Sequence, residues 1–381
     1  MADEASGTIN QSGNQIIGYG YFSETSTFVD HIYNLTISFP STEYEQSADN
    51  GKSFAAHVTI SEGKPTISEY ISKLDLTYNG LEVDETTDKN LRYVGASPKN
   101  YLKFNDEIWR IIGVFNNITT IDELELGKEK KELLVKIVRN ESLGNYSWDT
   151  TDSTINNGDG INEWSQADLM YELNCDGSSN SIYCRDETKD GYLSDIKSGT
   201  VYWYDNKNNS KVGKYDYSKN IKISAINQIA NVEWNLGGTS SGTSSSASAL
   251  SSYTQERGTT HVSNPADGVT RTNTWDGKIG LMYPSDYGYA STNKACRNQM
   301  NSSTNNEYNC KYDNWLFTGL WEWTFSPYYN NTTNTRSIYS DGRVYVSGAR
   351  NGHAVRPALF LKSDVVISGG TGTESDPYVI D

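Results

Sequence analysis

The segment Trp323–Lys362, WTFSPYYNNTTNTRSIYSDGRVYVSGARNGHAVRPALFLK, decides how this chain is read. Two apolar runs within it, Arg343–Ser347 and Val355–Leu361, predict strands. The rest is crowded with Tyr, Asn, Thr, Ser, Gly and Arg. Ser340-Asp341-Gly342-Arg343 predicts a hairpin turn, because glycine adopts the positive φ that such turns demand. Alternation then sets Ile338, Val344 and Val346 on the core face and Ser337, Tyr339, Arg343, Tyr345 and Ser347 outward. Tyrosine supplies rigid amphipathic contact area, while Asn, Ser and Gly supply adaptable hydrogen bonding, which is the mixture binding surfaces use. The candidate ligand-binding residues are therefore Trp321, Tyr328, Tyr329, Asn331, Asn334, Arg336, Tyr339, Arg343, Tyr345, Ser347, Arg350, Asn351 and His353. A solvated, Tyr-rich strand face is the plain alternative in a chain with 27 tyrosines. Of the nearby tryptophans, Trp315 and Trp323 are expected in the core. Trp321 follows Gly319-Leu320 in a loop-like setting and is the one expected to line a ligand groove.

Outward from this segment the pattern predicts an α+β fold. Residues 1–20 read as a flexible terminus, and 21–88 as a small, mostly β N-terminal module. That module contains the strand-like run His31–Phe39. It also holds a short helix over Thr66–Leu76, with Ile67, Tyr70, Ile71 and Leu74 on one face. The acidic connector Asp84–Asn90 is placed as the boundary. Residues 89–366 read as the ligand-binding domain. It opens with a hairpin in Leu91–Phe115, turning at Asn105-Asp106, followed by a buried strand at Leu133–Arg139. Asn162–Asn174 predicts a helix with Leu169, Met170 and Leu173 as its apolar face and Ser165 with Asp168 as a capping box. Ile221–Val232 predicts a second helix, and Val201–Tyr204 an exposed strand. The low-complexity run Gly237–Ser252 (GGTSSGTSSSASALSS) predicts a flexible insert. Residues 367–381 read as a tail ending in a short strand.

Lys plus Arg number 32 against 48 Asp plus Glu, a formal net charge of −16. Nucleic acid and anionic lipid are disfavoured as partners, because phosphate binding needs a basic stripe. No window approaches the ~18 apolar residues of a membrane helix, so no membrane insertion is expected. Met1–Gly18 lacks the charged and apolar halves of a signal peptide. Export would therefore rely on a targeting segment or anchor outside these residues.

The four cysteines fall into local pairs, and two disulfides, Cys175–Cys184 and Cys296–Cys310, are expected in an oxidising compartment. Four cysteines permit three connectivities, and only locality favours this one. A zinc site would call for C-x₂₋₄-C spacing. Asp149–Glu163 and Asp186–Asp190 are rich in oxygen ligands, yet calcium is not favoured because the EF-hand spacing is missing. No cofactor is expected. There is no G-x-S-x-G, H-E-x-x-H or P-loop, and His31, His57, His261 and His353 are scattered. An enzyme is not expected.

YVGASPKNYLKFNDEIWRIIGVF, NEWSQADLMYELN, KIGLMYPSDYGYA, WTFSP and AVRPALFLK together resemble a family of surface proteins of gut-dwelling Gram-positive bacteria. Leu91–Lys362 resembles the C-type-lectin-like domain of the formylglycine-generating-enzyme kind. That resemblance implies two helices flanking small antiparallel sheets, with long loops forming one ligand face. Some members of the fold are variable proteins of diversity-generating retroelements, whose rewritten positions would match Tyr328–Arg350 here. The EPN/QPD and WND motifs of calcium-dependent lectins are missing. Cys296 and Cys310 do not match the oxidase cysteine pair, so that activity is not carried over.

The resulting expectation is an extracellular or bacterial cell-surface adhesin, gripping a glycan or a cell-surface protein through residues 321–353. A pilus or envelope subunit and a degenerate enzyme are the alternatives.

Overall fold

Strands β1 (Leu81–Val83), β2 (Leu91–Tyr93), β3 (Tyr101–Phe104) and β4 (Glu107–Ile121) open the large sheet of the computed structural model. The structure describes residues 64–121, 129–150, 159–174, 221–240, 247–262, 265, 267–301 and 310–381, with the backbone of 202–204 and 210–212. The β3–β4 hairpin turns at Asn105 and Asp106 as expected. Both take positive φ (54° and 59°), the conformation of a type I′ turn that Asn and Asp tolerate. β4 pairs along its length with β5 (Glu129–Arg139), and the apolar stretches Trp109–Phe115 and Leu134–Val138 are buried on both faces.

The expected short strand Val201–Tyr204 is β7 (Tyr202–Tyr204), paired with β8 (Ser210–Val212). β9 (Val232–Asn235) pairs with the end of β4, and β10 (Thr274–Gly277) pairs with β9. On the other side of β5 come β16 (Ala358–Leu361) and β11 (Ile279–Gly280). The C-terminal strands β17 (Ile367–Gly369) and β18 (Tyr378–Ile380) complete the large sheet, β18 running parallel to β3.

The second sheet has the order β14-β13-β12-β15-β6. Its strands are β6 (Asn145–Ser147), β12 (Glu322–Pro327), β13 (Asn334–Ile338), β14 (Val344–Gly348) and β15 (Gly352–Ala354). The fold is α+β. Its sheets are mixed, since β12 with β15 and β18 with β3 are parallel, where small antiparallel sheets were expected. Between the sheets runs an aromatic spine. Trp164 packs 5.0 Å from Trp148 and 4.7 Å from Phe325, and Phe325 lies 4.9 Å from Trp234. Trp315 and Trp323 are buried, as expected.

Several boundaries move. The compact unit runs from Pro65 to Asp381, so the boundary drawn at Asp84–Asn90 falls inside it. That acidic string is a loop anchored by buried Asp84, Thr86 and Asn90, with Glu85, Thr87 and Lys89 exposed. Asp84 accepts from Thr86, Asn90 and Arg92, which satisfies its charge within the fold. The helix expected near Ile67 is α1 (Ile67–Ser72), with a capping box between Thr66 and Glu69 and with Ile67 and Ile71 in the main core. It belongs to this unit and not to a separate module, and a short α2 (Leu76–Asn79) follows it. The segment 367–381 is likewise part of the large sheet rather than an appended tail.

The helix expected over Asn162–Asn174 breaks at Ala167 into a 3₁₀ turn (Trp164–Gln166) and α3 (Asp168–Asn174). The Ser165–Asp168 capping box does not form. Glu163 caps the 3₁₀ turn, while the Asp149 carboxylate takes the Asp168 amide at 3.1 Å. The second expected helix shrinks to α4 (Ile223–Asn227), because Val232–Asn235 alternates buried and half-buried residues and joins the sheet as β9.

The expected flexible insert at 237–252 is ordered at both ends. Gly237 lies so close to the end of the next helix that a Cβ would meet Gln255 O at 2.2 Å. That helix, α5 (Ala249–Glu256), starts in the Ser-rich run, capped by Ser248. Ala249, Ser252, Tyr253 and Glu256 form its buried face. Helices α6 (Pro284–Tyr289) and α7 (Lys294–Asn298) complete the α layer. Cys296 is bonded to Cys310. Cys175 and Cys184 lie outside the described residues, as do residues 151–158 and Asp186–Asp190 of the acidic loops and the strand at His31–Phe39.

Candidate recognition platform

The platform grows from the end of the second sheet where Glu322 pairs with Ile338. Arg356, from the VRPAL segment, grips the buried Glu322 carboxylate at 2.6 Å and 3.1 Å, fixing the start of β12. The residue just before it, Trp321, is 38% exposed. Its ring stacks on Tyr339, with centroids 4.4 Å apart and planes 14° apart. Its indole N–H donates to the Ser340 hydroxyl at 2.8 Å. Tyr339 donates its own hydroxyl to Val346 O and meets Tyr345 edge-on at 5.9 Å. The Arg343 guanidinium lies 5.1 Å from the Tyr339 ring and 5.4 Å from the Tyr345 ring, steadied by Asp341 at 2.9 Å. The turn between β13 and β14 bends at Gly342 (φ 91°), which brings Ser340, Asp341 and Arg343 to this end.

Four of the thirteen candidates, Trp321, Tyr339, Arg343 and Tyr345, thus meet in one patch. Ser340 and Asp341, which hold that patch, were missed by the sequence reading. Their place in the turn beside Tyr339 was the available signal.

Four others gather at the opposite end of β12–β13. Tyr328 and Tyr329 pack edge-on at 5.4 Å. The backbone carbonyls of Tyr328, Asn331 and Asn334 converge on the buried Asn162 amide, at 3.2, 2.6 and 2.8 Å. Arg271 holds Asn162 Oδ1 at 3.1 Å and the Thr332 carbonyl at 2.9 Å, and pairs with Asp267 at 2.7 Å. Asn162 and Arg271 were also missed, since nothing adjacent in sequence links them to 328–334.

The remaining candidates need correction. Ser337 and Ser347, expected outward, are buried, while Val346 is only half-buried. β12 carries a bulge between Trp323 and Pro327, and Thr335–Ile338 of β13 are all buried, so simple alternation fails there. His353 is 1% exposed, not a surface group. It lies 4.2 Å from the Trp323 ring. Its Nδ1–H donates to Gly352 O, so Nε2 accepts from Ser347 Oγ at 2.7 Å. Burial pushes its imidazole down to about 4, which keeps it neutral. Asn351 is exposed, as expected, and its amide donates to Ser347 Oγ at 3.0 Å. Arg350 is exposed. Arg336 is 1% exposed and points away from any external ligand.

A second concentration of charge lies deep in the unit. Arg92 bridges Asp84 (2.9 Å) and Asp286 (2.6 Å), and Lys136 meets Asp286 at 2.6 Å. Burial pushes the Lys136 ammonium down to about 8 against the pull of Asp286. Every member is at most 2% exposed, so no substrate reaches it. Its role is to tie β5 and the β1–β2 loop to the N-terminus of α6. Among the described residues no group of three His, Cys, Asp or Glu is placed to hold a metal, and no helix is long and apolar enough to cross a membrane. No family model, curated protein or solved structure matches this chain.

Proposed function

We propose that this chain is a ligand-binding protein of the bacterial cell surface, an adhesin or receptor-binding type, whose contact surface is the Trp321–Tyr339–Arg343–Tyr345 patch. One observation carries the reading. An exposed tryptophan is held in place by stacking on Tyr339 and by a hydrogen bond to Ser340, so its contact area is already ordered. A pre-ordered aromatic surface binds without the usual cost of freezing side chains. Trp, Tyr and Arg are also the residue types that dominate binding energies. The C-type-lectin-like assignment and the surface location rest on the sequence resemblance. The partner is a glycan or a cell-surface protein. If residues 328–350 are rewritten by a retroelement, Tyr345 and Arg350 are at the surface, whereas Arg336, Ser337, Ile338 and Val344 are core.

Binding of the purified chain to a broad glycan array, with and without EDTA, tests the proposal, with an Arg343→Ala/Tyr345→Ala variant as control. Specific binding lost in the double variant supports a lectin-like adhesin. Binding retained in the double variant removes the patch from the site. A blank array moves the ligand class to protein, to be read by the same variant against intact cells.

A further inference from the structure

Arg336 carries a full charge into the interior, and its neighbours do not answer it. Its Nη2 reaches Val344 O at 3.3 Å, but Nε and Nη1 have no acceptor among the described residues. Tyr328, Tyr345, Tyr339 and Glu256 are the groups whose charge acts on it. None of these groups comes within hydrogen-bond reach of Nε or Nη1. The Tyr339 hydroxyl is turned to Val346 O, and the Glu256 carboxylate to the amide (3.0 Å) and hydroxyl (2.5 Å) of Ser285.

Across the sheet, the register passes from Trp323↔Ser337 to Pro327↔Thr335, so Thr324, Phe325 and Ser326 bulge over the single residue Arg336. Thr324 donates to the Arg336 carbonyl at 2.8 Å. Ser326, 1% exposed, has a hydroxyl without a partner among the described residues. The bulge therefore carries, on facing segments of the two strands, two buried donors that have no partner among the described residues. Folded proteins seldom leave such donors unmatched, and an uncompensated buried charge is strongly destabilising.

We propose that Arg336 and Ser326 hold a small monovalent anion, of halide or nitrate size, inside the β12–β13 bulge. One guanidinium balances one negative charge, which argues against the more highly charged phosphate or sulfate. The depth of Arg336 argues against a side-chain carboxylate entering from a partner. The anion would lock β13 to β12 behind Tyr339 and Tyr345, whatever the outer patch binds.

The test is thermal unfolding of the full chain over a chloride series, with gluconate keeping ionic strength constant, alongside ³⁵Cl line widths. The wild type is expected to gain about 2 °C or more in Tm, saturably, and to broaden the chloride signal. Arg336→Met should lose both effects. In gluconate alone it should be at least as stable as the wild type, since it removes an unanswered charge. Ser326→Ala should raise the chloride midpoint by roughly tenfold. A flat Tm and unbroadened signal in the wild type would overturn the proposal, and so would an Arg336→Met protein that responds to chloride like the wild type. If Arg336→Met does not fold, the wild-type line width and Ser326→Ala decide the matter, an unshifted midpoint counting against it.

Discussion

The two ends of the β12–β13 ladder are written in nearly the same letters and do opposite things. At the Pro327–Thr335 end, Tyr, Asn and Thr turn their backbone carbonyls inward onto Asn162, and Arg271 clamps the loop. At the Glu322–Ile338 end, Trp321, Tyr339, Arg343 and Tyr345 turn rings and a guanidinium outward. Each end has an arginine. Arg271 is spent on Asp267 and on holding backbone, whereas Arg343 lies against aromatic rings at the surface. The lesson is that a Tyr/Asn/Arg-rich segment says little about recognition until the destination of its carbonyls is known. Backbone groups that find an internal partner make a rigid loop, and side chains left over make a surface.

The contrast can be broken at its strongest point first. Asn162→Ala strips one buried amide from three carbonyls and from Arg271. It should cost about 3 kcal/mol in denaturant unfolding, while any ligand affinity of the remaining folded protein is unchanged.

Next in size are two opposing pH effects. Burial holds the His353 imidazole at about 4, below its ordinary value of 6.5. The folded state therefore loses stability as pH falls from about 6.5 towards 4, by up to about 3 kcal/mol. Burial pushes the Glu256 carboxyl up to about 7 from 4.5, so its contribution is complete below about 4.5 and is lost as pH rises through 7. The two slopes nearly cancel in the wild type. His353→Gln should leave stability falling with pH between 4.5 and 7, and Glu256→Gln should leave it rising. Equal slopes in both variants would show that neither group titrates as its burial implies.

Trp321→Ala should do the reverse of Asn162→Ala, with roughly 30-fold weaker ligand binding and a stability change near 1 kcal/mol. The smallest effect belongs to Arg343→Ala, expected to change stability by less than about 0.5 kcal/mol and binding by about fivefold. A large stability loss in Arg343→Ala would erase the distinction between the two ends.

Local chemistry was legible in the sequence wherever one residue type has one strong preference. Asn105-Asp106 wrote its own turn, Thr66 and Glu69 their own helix start, and Trp323 its burial. Legibility failed where distant groups decide. Asp84–Asn90 reads as a solvated connector because the cation that neutralises it, Arg92, is shared with Asp286, about two hundred positions away in the chain. The Ser-rich start of α5 reads as a linker because its burial against α6 is a tertiary fact. At the candidate site, alternation found Tyr339, Arg343 and Tyr345. It could not foresee that the β12 bulge and the second packing layer would draw in Arg336, Ser347 and His353.

The pairing of Thr66 with Val366 has a mechanical meaning. Ile67 donates to Val365 O at 2.8 Å and Ile367 to Pro65 O at 3.0 Å, so the first residues of the folded unit are stitched to the strand that opens its C-terminal hairpin. A pull applied between Pro65 and Ile367 would load that short seam directly. The aromatic patch, carried on different strands, would stay under no tension until the seam had opened.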